Sequence, residues 1–314
     1  MTITTDVAGI DLVEVPAWRP FRVWVSRLQR LSPTFLRITF SGGDLDQLGH
    51  DGPDQRIKVY LPRPGHGLPE FPTTDWHAAY RAADPATRGA LRTYTIRAVR
   101  PEQREVDIDF VLHGDTSPAS AFAVHAQIGQ EVALVGPNRQ FGGDCQGYEW
   151  KPPAGVRTTI IAGDETAVPA ICGILDSLRS RPALPTRTHV LLEVPDAADA
   201  LHLPALPGVE ITWLSRRRAD GSVAPHGQLL VDAVCGLDLD APMAEPSHVD
   251  TIDIDLQLLW EIAAADDDAG DLYAWVAGEA GTVKAIRRHL VRERGIDRKA
   301  VTFMGYWKLG RSEN

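Results

Sequence analysis

Two arginines and a Tyr-Thr pair stand together in one alternating stretch of the sequence, "LRTYTIRAVR", which runs from Leu91 to Arg100. An aromatic ring beside a cation and a hydroxyl suits a flat, anionic ligand with polar edges. We expect Tyr94 to stack on a ring system, Arg92 to pair with a pyrophosphate and Thr95 to hydrogen-bond a ring nitrogen. A surface strand with an incidental tyrosine is the alternative interpretation.

A helix start follows this strand in "HGDTSPAS". Ser117 has the character of an N-cap, and Pro118 suits the first helical position. The N–H groups of Ala119 and Ser120 would then face the same pyrophosphate. This second element supports the anion-and-ring interpretation of the strand before it.

Two strand-to-helix turns, in "IIAGDETAVPAI" and "WVAGEAGTVKAI", are further candidates for an anion site, because helix N-termini at strand ends bind phosphates. Neither turn has the GxGxxG pattern, so an ordinary capped turn is the alternative for each. The candidate nucleotide-binding residues of the two turns are Gly163, Asp164, Thr166, Ala167, Gly278 and Glu279.

A third strand ends in "WLSRRR", where Ser215, Arg216 and Arg217 follow one another. An adenosine 2′-phosphate is bound by a hydroxyl and a guanidinium, so this triplet favours NADPH over NADH. A solvated basic loop is the alternative.

The elements that must position these residues change character along the chain. Six short strands up to about residue 137 predict a closed antiparallel barrel, interrupted by the helix at 117–126. After a Gly- and Pro-rich loop at 143–155, apolar strands alternate with helices, which predicts a doubly wound parallel sheet. We therefore expect two domains, 1–145 and 155–314, with acidic surface loops around 240–271.

Composition excludes several classes of protein. The net charge of −10 argues against nucleic acid as a partner, and no apolar run approaches the roughly 18 residues of a membrane span. The N-terminus lacks the features of a secretory signal, so we expect a cytoplasmic protein. The three cysteines lack CxxC spacing and predict neither disulfides nor a metal site.

Taken in order, "RTYTIR", "DFVLHGD" followed by "PAS", "AGDETAVPAI", "WVAGEAGTVKAIRRHLVRERG" and "GYWKLGRSEN" resemble the siderophore-interacting proteins. These are FAD-dependent, NAD(P)H-linked ferric-siderophore reductases within the ferredoxin–NADP reductase superfamily. The resemblance extends from about Trp18 to Arg311. It implies a Greek-key barrel for FAD and an α/β domain for the nicotinamide nucleotide.

The resemblance also implies roles for particular residues. The strand motif Arg92, Thr93, Tyr94, Thr95 and Arg97 would contact the flavin, although alternation places Arg97 on the face opposite Arg92, toward the adenine or the barrel surface. The remaining implied flavin contacts are Asp109, Val111 and His113 at the pyrimidine edge, Ala119 and Ser120 at the pyrophosphate, and Tyr306 and Trp307 near the ring. The turns at Gly163 and Gly278 fall where the family binds the nicotinamide nucleotide.

The implied reaction passes a hydride from the nicotinamide to FAD and then single electrons to Fe(III) in a siderophore, without a covalent catalytic residue. Ferric siderophores are often anionic, and the candidate cations for them are Arg56, Lys58, Arg63, Lys308 and Arg311. Two alternatives remain open at this point. One is a flavin or ferredoxin-type reductase with another acceptor, and the other is a protein that binds siderophore or iron without turnover. We expect a monomer.

Overall fold

The computed structural model describes residues 15–113, 117–180, 185–239, 259–263 and 271–310. Six strands of this part of the chain close into an antiparallel barrel in the order β1-β2-β5-β4-β3-β6. The strands are β1 (Trp18–Arg30), β2 (Phe35–Ser41), β3 (Arg56–Leu61), β4 (Ala90–Arg100), β5 (Glu105–Val111) and β6 (Glu131–Pro137). The predicted barrel is confirmed.

Alternation along the strands fills the barrel. On β5, Val106, Ile108 and Phe110 are fully buried in the barrel core, as their spacing predicts. Two helices interrupt the strands, α1 (Trp76–Ala82) between β3 and β4 and α2 (Pro118–His125) between β5 and β6. Helix α1 was not predicted from the sequence. None of its residues is buried, so it lacks the apolar face by which an amphipathic helix is recognised in a sequence.

A second sheet follows, in the order β10-β12-β11-β7-β8-β9. Its strands are β7 (Thr158–Gly163), β8 (Arg187–Val194), β9 (Val209–Ser215), β10 (Trp260–Glu261), β11 (Leu272–Glu279) and β12 (Val301–Trp307). All of its pairings are parallel except that of β10 with β12, so the sheet is mixed at one edge. The doubly wound parallel sheet is confirmed, with this short antiparallel strand added.

Three helices cover the second sheet: α3 (Val168–Arg179), α4 (Gln228–Cys235) and α5 (Ala280–Arg287), the last continuing as a π-helical turn from Arg288 to Glu293. Apolar side chains form a core on each face of the sheet, and the barrel residue Phe35 lies in one of these cores. No helix within the described ranges is long and apolar enough to cross a membrane.

The strand order creates a crevice. From β7 the chain proceeds to β8 and β9 on one side, whereas β11 and β12 lie on the other side of β7. Ligands in such sheets bind at this switch point, outside the carboxyl ends of the central strands. The crevice between the ends of β7 and β11, at Gly163 and Gly278, is therefore the place to look for a nucleotide site.

Candidate functional site

Strand β4 carries the ring-binding motif on the barrel. The register with β3 sets Thr95 opposite Arg56 and Thr93 opposite Lys58. The Tyr94 ring packs toward the barrel core, with its centroid 4.3 Å from that of Phe110. Thr95 is one of the buried polar residues of the barrel. A buried hydroxyl of this kind suits a ligand with a polar edge.

Arg92 and helix α2 form the predicted pyrophosphate side. Arg92 is partly buried, and one of its nitrogens donates to the carbonyl of Leu91 at 3.0 Å. Ser117 is the N-cap of α2 as predicted, since its Oγ accepts from the N–H of Ser120 at 3.2 Å. The cap does not use the N–H of Ala119, which leaves that group as the first-turn donor for an anion.

The predicted pyrimidine-edge residues have different surroundings. Asp109 is buried and accepts two hydrogen bonds from the Arg37 guanidinium, at 2.7 and 2.8 Å. Val111 packs against an apolar core of the second sheet, and His113 is exposed at the end of a described range. Asp109 thus already has a charged partner in this structure.

Arg97 reaches from the barrel to the second sheet's helix α3. Its Nη2 lies 2.6 Å from Oδ2 of Asp176, and its Nε is buried without a hydrogen-bond partner among the described residues. This ion pair gives Arg97 a partner on the face of β4 opposite Arg92. The sequence offered no means of identifying Asp176, because the pair joins elements about 80 residues apart.

The end of β12 approaches the barrel through a row of side chains. The Arg56 guanidinium lies 4.3 Å over the Trp260 ring and is paired with Glu149, and Trp260 stacks on Tyr306 with 6.2 Å between centroids. The Tyr306 hydroxyl is buried and has no hydrogen-bond partner in the described residues; burial raises its pKa. Because Arg56 is opposite Thr95, this row brings the barrel motif and the C-terminal aromatic end to one crevice.

Asp164 is the hub of the switch-point crevice. It is fully buried after β7, and its Oδ1 accepts from both the N–H and the hydroxyl of Thr166. Its Oδ2 accepts from the N–H of Glu279 at 2.7 Å and from the Trp307 indole at 2.9 Å. One carboxylate therefore joins the ends of β7, β11 and β12.

A titratable pair lies beside this hub. His226 Nε2 is 3.5 Å from a Glu165 oxygen and 3.8 Å from an Asp164 oxygen, and the ring meets Trp307 edge-on at 5.0 Å. Burial acts to lower the pKa of His226, but the Glu165 and Asp164 carboxylates outweigh it and raise that pKa. Burial acts to raise the pKa of Glu165, but His226 and Arg216 lower it to about 2. Sequence reasoning missed His226, and its position before Gly227 is the one local signal that could have pointed to it.

Arg216 faces inward. Its guanidinium makes two hydrogen bonds of 2.7 Å to Glu165 and a third of 3.2 Å to Glu193, and the residue is only 8% exposed. The Ser215 hydroxyl donates to the carbonyl of Arg217 at 2.8 Å. Arg217 is the more exposed of the two arginines and pairs with Asp196 at 3.0 Å.

The N-termini of α4 and α5 are capped by carboxylates of the chain itself. Glu193 accepts from the N–H groups of Gly227 and Leu230 at the start of α4, and Glu279 accepts from the N–H of Thr282 at the start of α5. The sequence predicted free N–H groups at the starts of α3 and α5. At α5 the Thr282 N–H already has a partner, whereas the start of α3 has no side-chain cap.

Most of the cations predicted to bind the siderophore lie in the described part of the chain, where each has contacts with neighbouring groups. Lys58 donates to the Thr93 hydroxyl at 2.6 Å, and Lys308 lies half-buried at the crevice with contacts of its own. Arg63 donates to the carbonyls of Arg88 and Pro85, so it holds the β3–β4 connection together. Arg311 lies outside the described residues. Within the described ranges, no three His, Cys, Asp or Glu side chains are grouped to hold a metal ion.

Comparison with known proteins covers both halves of the chain. Residues 24–141 match the siderophore-interacting FAD-binding domain, and residues 156–310 match the siderophore-interacting protein family. Ferric vibriobactin reductase of Vibrio cholerae is 30% identical over 91% of this chain and 89% of its own. The NADPH-dependent ferric-chelate reductase of Escherichia coli is 25% identical over 90% of this chain and 91% of its own.

A solved structure of a siderophore utilization protein from T. fusca is 27% identical, covers 96% of this chain and 97% of its own, and has a TM-score of 0.69. The matched families, the relatives and the shared fold agree with the resemblance that the motifs carry. The chain belongs to the siderophore-interacting protein family.

Proposed function

We propose that this chain is a flavin-dependent ferric-siderophore reductase, which takes a hydride from NAD(P)H and passes electrons singly to Fe(III) in a siderophore. Its family and its relative, a ferric vibriobactin reductase, support this proposal. The observation that carries it is one crevice lined by Thr95 of the barrel motif and, through Arg56 and Trp260, by Tyr306 of the C-terminal strand.

The residues of the crevice fit an FAD. The Tyr306 hydroxyl is buried without a hydrogen-bond partner among the described residues, and Thr95 is a buried polar residue. The hydroxyl of each suits the polar edge of a ring. Arg92 and the first turn of α2 would hold the pyrophosphate, and Tyr94 would pack against the ring. Bound FAD supplies an acceptor that takes up an electron pair and releases it one electron at a time.

The reductant is proposed to enter between the ends of β7 and β11. Trp307, whose indole N–H donates to Asp164, would shield a bound flavin ring from water until the nicotinamide takes its place. The chain's task at this step is alignment and exclusion of water, and no side chain need form a covalent bond to the substrate.

NADPH is favoured over NADH, as in the E. coli relative named an NADPH-dependent ferric-chelate reductase. The 2′-phosphate contact predicted for Arg216 stays a prediction, because this guanidinium is enclosed by Glu165 and Glu193. Arg217 and Ser215 are the more accessible members of the triplet. We expect Arg217→Ala to raise the KM for NADPH by a factor corresponding to roughly 1.5–3 kcal/mol, with little change for NADH. Equal changes for both nucleotides would remove the assignment.

Fe(III) is a hard ion held tightly by oxygen ligands, whereas Fe(II) binds the same ligands more weakly, so reduction itself releases the metal. Lys58 and Lys308 are the cations best placed to attract an anionic chelate. Arg56 is paired with Glu149 and Arg63 is bound to two carbonyls, so both mainly organise the rim. The monomeric state and the cytoplasmic location stay predictions from the sequence.

The visible spectrum of the purified protein tests the function. We expect flavin absorbance, bleaching on anaerobic addition of NADPH, and recovery of the oxidised spectrum when a ferric siderophore is added. A bleached protein that reduces ferredoxin or free flavin but no ferric chelate would support a different acceptor. A colourless protein that binds ferric siderophore would support a role in binding without turnover.

A further inference from the structure

A buried carboxylate of the C-terminal sheet is held by the barrel. Asp199 lies in the short helical turn Ala197–Asp199 that follows β8, and it is completely buried. Its Oδ1 accepts from the Ser32 hydroxyl at 2.7 Å and from the Thr34 N–H at 2.8 Å, and its Oδ2 accepts from the Thr34 hydroxyl at 2.8 Å. Three donors to this carboxylate thus come from the β1–β2 turn of the barrel, and a fourth is the Asp196 N–H of its own turn, at 3.2 Å.

A second carboxylate makes the reverse connection. Asp54 lies two residues before β3 of the barrel and is 1% exposed. It accepts from the N–H groups of Glu149 and Trp150 in the connection between barrel and sheet, at 3.0 and 3.1 Å. It also accepts from the Trp275 indole of β11 at 3.3 Å. Asp54 therefore joins the barrel to the connection and to β11, as Asp199 joins the C-terminal sheet to the barrel.

Close packing accompanies these hydrogen bonds. Gly173 of α3 approaches the barrel so closely that a Cβ there would lie 2.2 Å from the carbonyl oxygen of Pro53. Phe35 of β2, fully buried, packs into an apolar core of the C-terminal sheet. Moving the barrel relative to the sheet would take three donors from the buried Asp199 carboxylate and the Trp275 indole from the buried Asp54 carboxylate, which is unfavourable.

Domains joined by a small polar interface are expected to move relative to one another, but this interface has apolar packing and two enclosed carboxylates. We infer that Asp199 and Asp54 are positioning residues: they hold the barrel and the C-terminal sheet in one fixed arrangement, so that the β4 motif and the switch-point crevice stay in register for hydride transfer. The inference rests on the proposed function.

Asp199→Ala tests the inference with two independent measurements. The first is the rate constant of flavin reduction at saturating NADPH, measured anaerobically by stopped flow on FAD-loaded protein. Because a misplacement of about 1 Å costs up to about 100-fold in rate, we expect a 10- to 100-fold decrease with little change in the NADPH concentration that gives half-saturation. Asp199→Asn, which keeps one acceptor oxygen, is expected to restore part of the rate.

The second measurement needs no nucleotide. Spin labels at Ile128→Cys on the barrel and Lys284→Cys on α5, in a Cys235→Ser background, report the distance between the two halves, since Cys145 and Cys172 are buried. We expect a single narrow distance distribution that Asp199→Ala broadens. The double variant Ser32→Ala/Thr34→Val removes the two side-chain hydrogen bonds from the barrel side but keeps that of the Thr34 N–H, so it should broaden the distribution by a smaller amount.

Thr39→Val is the matched control, because it deletes a buried Thr–Asp hydrogen bond of 2.7 Å to Asp107 inside the barrel. It should change neither the distance distribution nor the rate constant. A distribution that stays narrow in Asp199→Ala, or a broadened one with an unchanged rate constant, overturns the inference. If NADPH does not reduce the wild-type flavin, the proposed function fails, and the distance measurement decides alone whether the carboxylates fix the arrangement.

Discussion

At the scale of single residues, Arg216 neutralises two buried carboxylates at the carboxyl edge of the C-terminal sheet. Removing one partner of a buried ion pair leaves the other charge in an apolar setting without compensation. We therefore assign Arg216 a role in the stability of the folded state, in addition to any contact with a nucleotide.

We therefore expect Arg216→Ala to lower the free energy of unfolding by about 3–5 kcal/mol. Urea denaturation followed by tryptophan fluorescence measures this change. Arg217→Ala is the control, because its exposed pair with Asp196 contributes at most about 1 kcal/mol. Similar small effects for both variants would show that Arg216 is not needed to compensate Glu165 and Glu193.

His226 gives the molecule a pH dependence near neutrality. Its pKa is raised in the folded state, so its protonation stabilises the fold fully below the unfolded pKa of about 6.5, and the stabilisation disappears as the pH rises through the folded pKa. Glu165 behaves in the opposite sense: its contribution is complete above its unfolded pKa of about 4.3 and disappears as the pH falls toward about 2.

We expect the difference in unfolding free energy between wild type and His226→Gln to be largest near pH 5.5 and to shrink toward pH 9. Urea denaturation at these two values measures it. His202→Gln serves as the control, because it replaces a histidine outside this pair. A difference that does not vary with pH would contradict the role of the His226 charge.

At the scale of elements, α2 depends on its N-cap. Ser117 accepts from the N–H of Ser120 and contacts the Ser120 hydroxyl at 3.0 Å, which fixes the first turn of the helix that faces the proposed pyrophosphate. Loss of an N-cap serine typically costs about 0.5–2 kcal/mol.

Ser117→Ala should accordingly weaken FAD binding by a similar amount, roughly 2- to 30-fold in Kd, because a frayed first turn no longer presents its N–H groups. Flavin fluorescence on titration of the apoprotein measures the Kd. Ser180→Ala, at the C-cap of α3, is the control and should leave the Kd unchanged. An unchanged Kd for FAD in Ser117→Ala would show that the N-cap of α2 does not contribute to cofactor binding.

Local sequence rules were sufficient to predict most of the strands and the start of helix α2. Alternation predicted the barrel strands, and Ser117 with Pro118 predicted the start of α2, because both signals lie within a few residues. The polar surroundings of the candidate site were not predictable in the same way. Asp164, Asp199 and Arg216 find their partners on elements far along the chain, and no local pattern says which donors a buried carboxylate will meet.

At the scale of the whole molecule, the net charge of −10 opposes the approach of an anionic ferric chelate, while the cations of the crevice attract it. At an ionic strength of about 0.01 M the Debye length is roughly 30 Å, so the chelate meets the field of the whole protein. At about 0.1 M it is roughly 10 Å, and only nearby groups such as Lys58 act.

We therefore expect kcat/KM for an anionic ferric chelate to rise as NaCl is increased from about 0.01 to 0.1 M. A neutral ferric hydroxamate is the control and should show little change. Lys58→Gln should lower the value for the anionic chelate most clearly at the higher salt concentration. A steady decrease with salt in the wild type would show that the local cations dominate throughout.

The two-residue strand β10 has a consequence for how copies of this protein behave together. Trp260 and Glu261 pair antiparallel with Met304 and Phe303, and thereby occupy backbone groups at the middle of the outer side of β12. An apolar strand with an open side is a template for pairing with a strand of another molecule. We therefore expect this two-residue pairing, one of the shortest elements of the fold, to reduce edge-to-edge aggregation in concentrated protein.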